Sequence, residues 1–308
     1  MLKRFGFRKL AVTTTALFVI GLLYFFPTKE LNINKNITYY EESDFSEVFL
    51  LDKNNFVSEV SVISNETDLI EKLKNKMELL IKKDNNEKVP SSFKGVIPSD
   101  TKVLSLSVEN NICTIDFSKE ILNVTNLMEE KMVEAIIYTL TSESEVKEVI
   151  LKVEGKVLER LPNSNKLLPN VFDRSYGINK NYDINNLYDL TKTTVYYIGE
   201  DSGNSYYVPV TKVTNSNDDK ISVIVSELKS SILYQSNLSS YLNSKAELIN
   251  YEKEENVMKL TFNDKIFYSM YDKNILEEVV YTIGKSVKDN YNVDEVMFYV
   301  GDEMITKY

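Results

Sequence analysis

The chain has 308 residues, with 36 Lys and Arg against 46 Asp and Glu and a sequence pI near 4.9. That balance lacks the basic footprint of nucleic-acid binding, so no nucleic-acid partner is expected. Histidine is absent, which removes Ser-His and Cys-His nucleophile activation, imidazole acid–base catalysis and almost every zinc arrangement. The 9 glycines form no phosphate-cradling loop, and no cofactor, metal or catalytic residue is expected. The 20 Tyr and 14 Phe, with no Trp, suit β-rich segments with half-buried aromatic faces.

In chain order, Leu10 to Phe26 carries no charge, and roughly 17 residues is the lower limit for a helix crossing a bilayer core. Lys3, Arg4, Arg8 and Lys9 precede it, whereas Lys29 and Glu30 follow with no net charge. The positive-inside rule then predicts a single-pass cell-membrane protein with its N-terminus cytoplasmic and its bulk extracytoplasmic. Tyr24-Phe25-Phe26-Pro27 stands where a cleaved signal peptide would have small residues, so an uncleaved signal anchor is the expectation. Thioether lipidation needs a cysteine just after the hydrophobic run, and the one cysteine is Cys113. Asn32 to Asp44 is polar and reads as a tether.

Beyond the tether the chain says nearly the same thing twice. Asn111-Ile-Cys-Thr-Ile-Asp-Phe-Ser-Lys-Glu-Ile-Leu122 is echoed by Asn256-Val-Met-Lys-Leu-Thr-Phe-Asn-Asp-Lys-Ile-Phe267, and Glu148 to Val153 by Glu295 to Val300. The pattern divides the chain into an anchor (1–27), a tether (28–45), a first copy (46–160), an inter-domain segment (161–190) and a second, divergent copy (191–308). Each copy is long enough to bury its own core. The core pattern recurs and no reactive polar group recurs with it, so the duplication points to a scaffold before an enzyme.

The first copy opens with a hairpin, Val48 to Leu51 and Phe56 to Ile63 around Asp52 to Asn55. Its counterpart is Val195 to Ile198 and Tyr206 to Val213 around Gly199 to Gly203. Pro209 removes a ladder donor and predicts an edge strand. A helix follows from Thr67 or Asp68 to Lys82, with Leu69, Ile70, Leu73, Met77, Leu80 and Ile81 on one stripe; Asp218 starts its echo through Ile221, Ile224, Val225 and Leu228. Strands Lys102 to Val108 and Ile112 to Phe117 meet across a tight turn at Glu109 to Asn111, echoed by Glu247 to Tyr251 and Val257 to Phe262 around an acidic turn. A second helix, Met128 to Ser142, and a closing strand, Glu148 to Val153, complete the unit. The expected fold class is α+β, two tandem two-layer sandwiches, each one mixed sheet covered on one face by two helices. Cys113 falls on the strand face of Ile115 and Phe117 and reads as core. The inter-domain segment is too apolar at Leu167, Leu168, Val171, Phe172, Tyr176 and Ile178 for a solvated tether, so packing on the first copy is predicted.

The stretch from Val96 to Ile121, with its Asp116-Phe-Ser-Lys119 ending, and the stretch from Glu134 to Gly155 resemble the GerMN domain family of sporulation and germination proteins. The second copy departs from the motif, with Thr261-Phe-Asn-Asp264 in place of Asp116-Phe-Ser-Lys119. The resemblance implies a fold similar to ring-building domains. It also implies a role in assembling envelope complexes, with envelope sporulation-complex proteins as partners. Family members are often lipoproteins, from which the expected transmembrane anchor departs.

Asp116 and Ser118 read as structural, bonding a turn or capping a short helical segment. The Tyr-rich strands at Tyr196, Tyr197, Tyr206 and Tyr207 are the candidate protein interface, because aromatic residues with a polar tip favour interfaces; the competing reading places half of them in the core. Acidic runs such as Glu252 to Glu255 read as solvated turns. The readings kept beside the scaffold are a peptidoglycan-directed hydrolase and a module binding cell-wall glycan or a small germinant. An aromatic-lined cleft between the domains would mark the last of these.

Overall fold

The computed structural model describes residues 45–83, 88–230 and 237–308. The expected anchor at Leu10 to Phe26 lies outside the described residues, and among those described no helix is long and apolar enough to cross a membrane. Strands β1 (Phe45–Leu51) and β2 (Val57–Ile63) turn around Asp52, whose carboxylate accepts the N–H groups of Asn54 and Phe56 at 2.8 Å. Helix α1 (Leu69–Leu80) starts at Asp68, which accepts the Glu71 N–H at 2.9 Å. Strands β3 (Val103–Glu109) and β4 (Ile112–Phe117) reverse through Asn110 and Asn111, at φ 51° and 63°. Two left-handed residues make the tight turn that matches strand twist, and Asn tolerates that conformation. Helix α2 (Asn126–Leu140), β5 (Glu148–Val153) and β6 (Lys156–Val157) close the first copy, and β7 (Asn181–Asp183) lies in the inter-domain segment.

The second copy repeats the order with β8 (Thr191–Asp201), β9 (Asn204–Thr214), α3 (Lys220–Lys229), a short β10 (Leu238–Ser239), β11 (Leu248–Glu254), β12 (Val257–Phe262), α4 (Glu277–Tyr291), β13 (Glu295–Val300) and β14 (Glu303–Lys307). Its first hairpin turns at Ser202 and Gly203, both left-handed. Gly199, expected in the turn, is inside β8 with the Tyr206 ring over it; an added Cβ would lie 2.6 Å from that ring.

Topology corrects the expected single sheet per copy. Strands β3-β4-β5-β6 form one four-stranded sheet and β11-β12-β13-β14 another, each parallel at its centre pair. The two hairpins leave these sheets and join each other in a six-stranded sheet ordered β1-β2-β9-β8-β10, with β7 beside β9. Val48, Phe49, Leu50 and Leu51 are all buried. A strand covered on one face would alternate, so this continuous run marks a strand enclosed on both faces. Each copy has its own apolar core, and the half-buried Phe93 packs against both.

The helices seal the sides of the shared sheet. Phe49 N–H donates to Thr139 Oγ1 of α2 at 2.9 Å, and Tyr196 N–H donates to Ser286 Oγ of α4 at 2.9 Å. The same sequence spacing separates Phe49 from Tyr196 and Thr139 from Ser286, so this bond is part of the repeat. Asn290 adds a two-way clamp, accepting from Thr194 N–H at 3.1 Å and donating to Thr194 O at 2.7 Å. Backbone groups on the far side of β1 and β8 are thereby satisfied by side chains.

Pro209 is not on an edge. It lies in β9, between β8 and β2, opposite Tyr196. The missing donor is compensated by Asn179, which donates to the carbonyls of Val57 and Pro209 at 2.8 Å and accepts from Val57 N–H at 2.9 Å. One side chain thus does the work of a ladder rung where proline interrupts it. Asn179→Ala is expected to lower stability by about 2 kcal/mol, since it leaves buried backbone groups unpaired. A drop in the urea midpoint with unchanged slope would verify this.

The inter-domain segment packs as predicted through Leu161, Leu168, Phe172 and Ile178, all buried in the first core, whereas Leu167 and Val171 are exposed. Cys113 is buried beside Ile115 and Phe117, and burial pushes its thiol up to about 12. The expected result is no alkylation of Cys113 in the folded chain and rapid alkylation in denaturant, read by intact mass; fast labelling without denaturant would contradict it. Asp116 accepts the Gly155 N–H at 3.0 Å, binding the β5–β6 turn, and Ser118 Oγ accepts the Lys102 N–H at 3.0 Å. Asn263 repeats the second bond, accepting from Glu247 N–H at 3.1 Å.

Candidate functional site at the junction of the two copies

The four candidate interface tyrosines are interior, which corrects the reading of an exposed binding surface. Tyr196 is 0% and Tyr197 3% exposed, Tyr206 is buried and Tyr207 half-buried. The reason is the shared sheet: strands placed at its centre have partners on both sides and layers on both faces. Tyr197 donates to Glu227 Oε2 of α3 at 2.8 Å, within its own copy. The other three join the copies to each other or to the segment between them. Tyr206 donates to Asp52 Oδ2 at 2.9 Å and meets Phe93 edge-on at 4.9 Å between centroids. Close by, Asp201 pairs with Lys53 and accepts from Ser92.

Tyr207 opposes Glu59 at the backbone bridge between β2 and β9, and its ring stacks on Tyr281 of α4 at 3.9 Å. Around that bridge lies a buried ionic cluster. Lys285 Nζ is 2.6 Å from Glu47 Oε1 and 3.0 Å from Glu59 Oε2, and Tyr281 donates to Glu59 Oε1 at 2.6 Å. Burial holds the Glu59 carboxyl above its ordinary range despite the pull of Lys285. Burial also pushes Glu47 upward, but the charge and hydrogen bond of Lys285, with the charges of Arg174 and Lys76, together hold Glu47 low. Lys285 is raised because Glu59 and Glu47 together overcome its desolvation.

A second cluster is built on Arg174, from a short 3-10 turn in the inter-domain segment. Its guanidinium pairs with Asp289 of α4, donates to Oγ1 of Thr141, the C-cap of α2, at 3.1 Å and to Tyr196 OH at 3.4 Å, and lies 4.9 Å from the Tyr138 ring centroid. Tyr196 completes the circuit by donating to Asp289 Oδ2 at 2.9 Å. Desolvation pulls Arg174 down, but Asp289, Tyr196 and Tyr138 together overcome it and raise its proton affinity. A groove of about 690 Å³ runs over both clusters, lined by Glu47, Glu143, Arg174, Lys285 and Asp289 among others.

Chemically, this arrangement fixes charge. Arg174, Lys285, Tyr196 and Tyr281 all have proton affinities moved upward, which keeps the two cations charged and the two phenols neutral, while burial raises the Glu59 carboxyl. No three carboxylate or cysteine groups among the described residues are placed to share a metal ion. Sequence reading missed Glu47, Glu59, Arg174 and Lys285. One signal was available: aligned by the repeat spacing, Lys285 stands where the first copy has Tyr138, and Tyr281 where it has Glu134. An exchange of aromatic and charged residues on a buried helix face marks a contact that differs between copies.

Fold and junction define a class: a tandem α+β protein whose two copies are joined through one sheet. The profile of the Germane family, described as sporulation and spore germination, matches residues 47–159 and 194–306. The chain belongs to this family. It is 29% identical over 256 residues, 81% of this chain and 69% of the relative, to the spore germination protein GerM of Bacillus subtilis (strain 168). It is also similar to the solved structure of the tandem GerMN domains of the sporulation protein GerM from Bacillus subtilis. There the TM-score is 0.76 at 28% identity, covering 84% of this chain and 91% of that one.

Proposed function

We propose that the chain is held in the cell membrane by Leu10 to Phe26, with its bulk extracytoplasmic. In this reading it acts in sporulation and germination as a scaffold for envelope sporulation-complex proteins, without catalysis. The observation that carries the reading is the division of labour among surfaces. The charged groups of the junction are consumed in joining the two copies, while the outer sheets keep open strands. In β3 and in β11 an irregularity in register falls at the same place in the repeat, around Leu104 and Ile249, and both side chains are exposed. Exposed aliphatic residues on sheet edges are features that protein partners use.

The test is crosslinked affinity capture of the full-length protein from sporulating cells, with mass spectrometry of what is recovered. Recovery of envelope proteins that is lost with Leu104→Asp and Ile249→Asp supports scaffolding. Release of fragments from purified cell walls by the purified chain would instead establish the hydrolase reading and overturn this one.

A further inference from the structure

A separate cleft of about 500 Å³ opens where the inter-domain segment meets both copies. Small-molecule sites typically enclose roughly 300–1,000 Å³, with mostly apolar walls and a few polar groups. Here Val171, Phe172 and Leu190 supply apolar wall, Tyr176 and Tyr182 aromatic wall, and Lys192 an ammonium group. Two of these polar groups lack the partners expected of them. The Tyr176 hydroxyl is buried with no hydrogen-bond partner among the described residues, a condition that folded proteins seldom leave unexplained. Lys192 Nζ donates only to backbone carbonyls, those of Ser175 at 3.0 Å and Tyr176 at 3.5 Å.

The neighbouring lysines contrast with it. Lys166 and Lys180 both pair with Glu130, at 2.8 and 2.9 Å, and Lys180 also pairs with Glu134 at 2.8 Å. Lys192 is left without a carboxylate among the described residues. Burial, with Lys180 and Lys166 nearby, lowers its proton affinity. Of the two acids lining the cleft, Asp173 is engaged by the Ser175 N–H and hydroxyl, and Glu148 opens β5. Tyr182 is 56% exposed on β7, where the fold needs only its backbone to pair with β9.

We propose that this cleft binds an anionic carbohydrate, with the C–H face of a sugar ring on Tyr182 and its carboxylate on Lys192. An exposed aromatic ring offers its π-face to sugar C–H groups. An ammonium without a counter-ion gains a charge-assisted hydrogen bond. The site is independent of the exposed strands of the scaffold reading, so either can fail alone.

The test uses the purified full chain, titrated with the disaccharide of N-acetylglucosamine and N-acetylmuramic acid and, in parallel, with the neutral N,N′-diacetylchitobiose. Calorimetry is expected to detect saturable binding of the acidic disaccharide. Lys192→Met should weaken that binding about tenfold, equivalent to about 1.4 kcal/mol, down to the level of chitobiose. Tyr182→Ala should abolish both. Both side chains are exposed, and an unchanged melting temperature verifies that each variant folds. Equal affinity for the two sugars, binding indifferent to Tyr182→Ala, or no binding at millimolar sugar would each overturn the proposal.

Discussion

Replacing Lys285 with Met is expected to lower stability by about 3–5 kcal/mol at neutral pH, the usual penalty for removing one partner of a buried ion pair. Lys285 stands between Glu47 and Glu59, and the Glu59 side chain is only 3% exposed. Without the ammonium, Glu59 must either ionise unpaired or take up a proton. Its carboxyl is already raised by burial, and the substitution raises it further. A carboxyl whose folded pKa exceeds its unfolded one binds more protons when folded. Its stabilising contribution is therefore complete below the unfolded pKa, about 4.3 for Glu, and is lost as pH rises through the folded pKa. The Lys285→Met defect should accordingly shrink on acidification. Glu59→Gln in the same chain should recover part of the loss at neutral pH. Guanidinium melts of the single and double variants at both pH values measure this; an equal defect at both would show that packing, not charge, is what the substitution removes.

The second large effect is expected at Arg174. Arg174→Ala leaves Asp289, with a side chain 6% exposed, without its cation, and a loss of about 3–5 kcal/mol follows on the same grounds. Arg174→Lys distinguishes charge from geometry. An ammonium can still face Asp289, but it cannot reproduce a planar fork that reaches Asp289, Thr141 and Tyr196 together. A loss of about 2 kcal/mol is expected for Lys, from donors left unreplaced and acceptors left unpaired. Because Arg174 belongs to the segment between the copies, hydrogen exchange should rise first around Phe172 to Ile178 and along β8. Full recovery by Lys would mean that only the charge matters.

Much of the architecture was legible before any coordinates. Helices α1, α2 and α3 could be read because a helix stripe repeats every three to four residues and needs only local sequence. The tight turn at Asn110 and Asn111 was legible because few residue types tolerate its left-handed backbone. Cys113 was placed correctly because the second copy puts Met258 on the same strand face. The short β6 and β14 were missed, as was β7: two to five residues are too few to carry a periodicity, and their strand conformation is supplied by the neighbour they pair with.

The candidate site was less legible, and the four tyrosines show why. Tyr196, Tyr197, Tyr206 and Tyr207 were correctly assigned to a hairpin, but strand alternation cannot say whether a second hairpin covers it. Lys285 and Glu59 are more than two hundred residues apart, and neither alone differs from an ordinary solvated charge. Pro209 read as an edge signal because its lost donor was visible, whereas its compensation by Asn179 arises from a segment folded back between the copies.

By itself the sequence determined the duplication, the order of helices and strands in each copy, the turns and the apolar faces, since each follows from short-range periodicity and backbone stereochemistry. Only the tertiary structure decided which sheet each hairpin joins and which charges become buried partners. Those outcomes depend on surfaces brought together from distant parts of the chain, where desolvation makes a lone charge costly and a paired one tolerable.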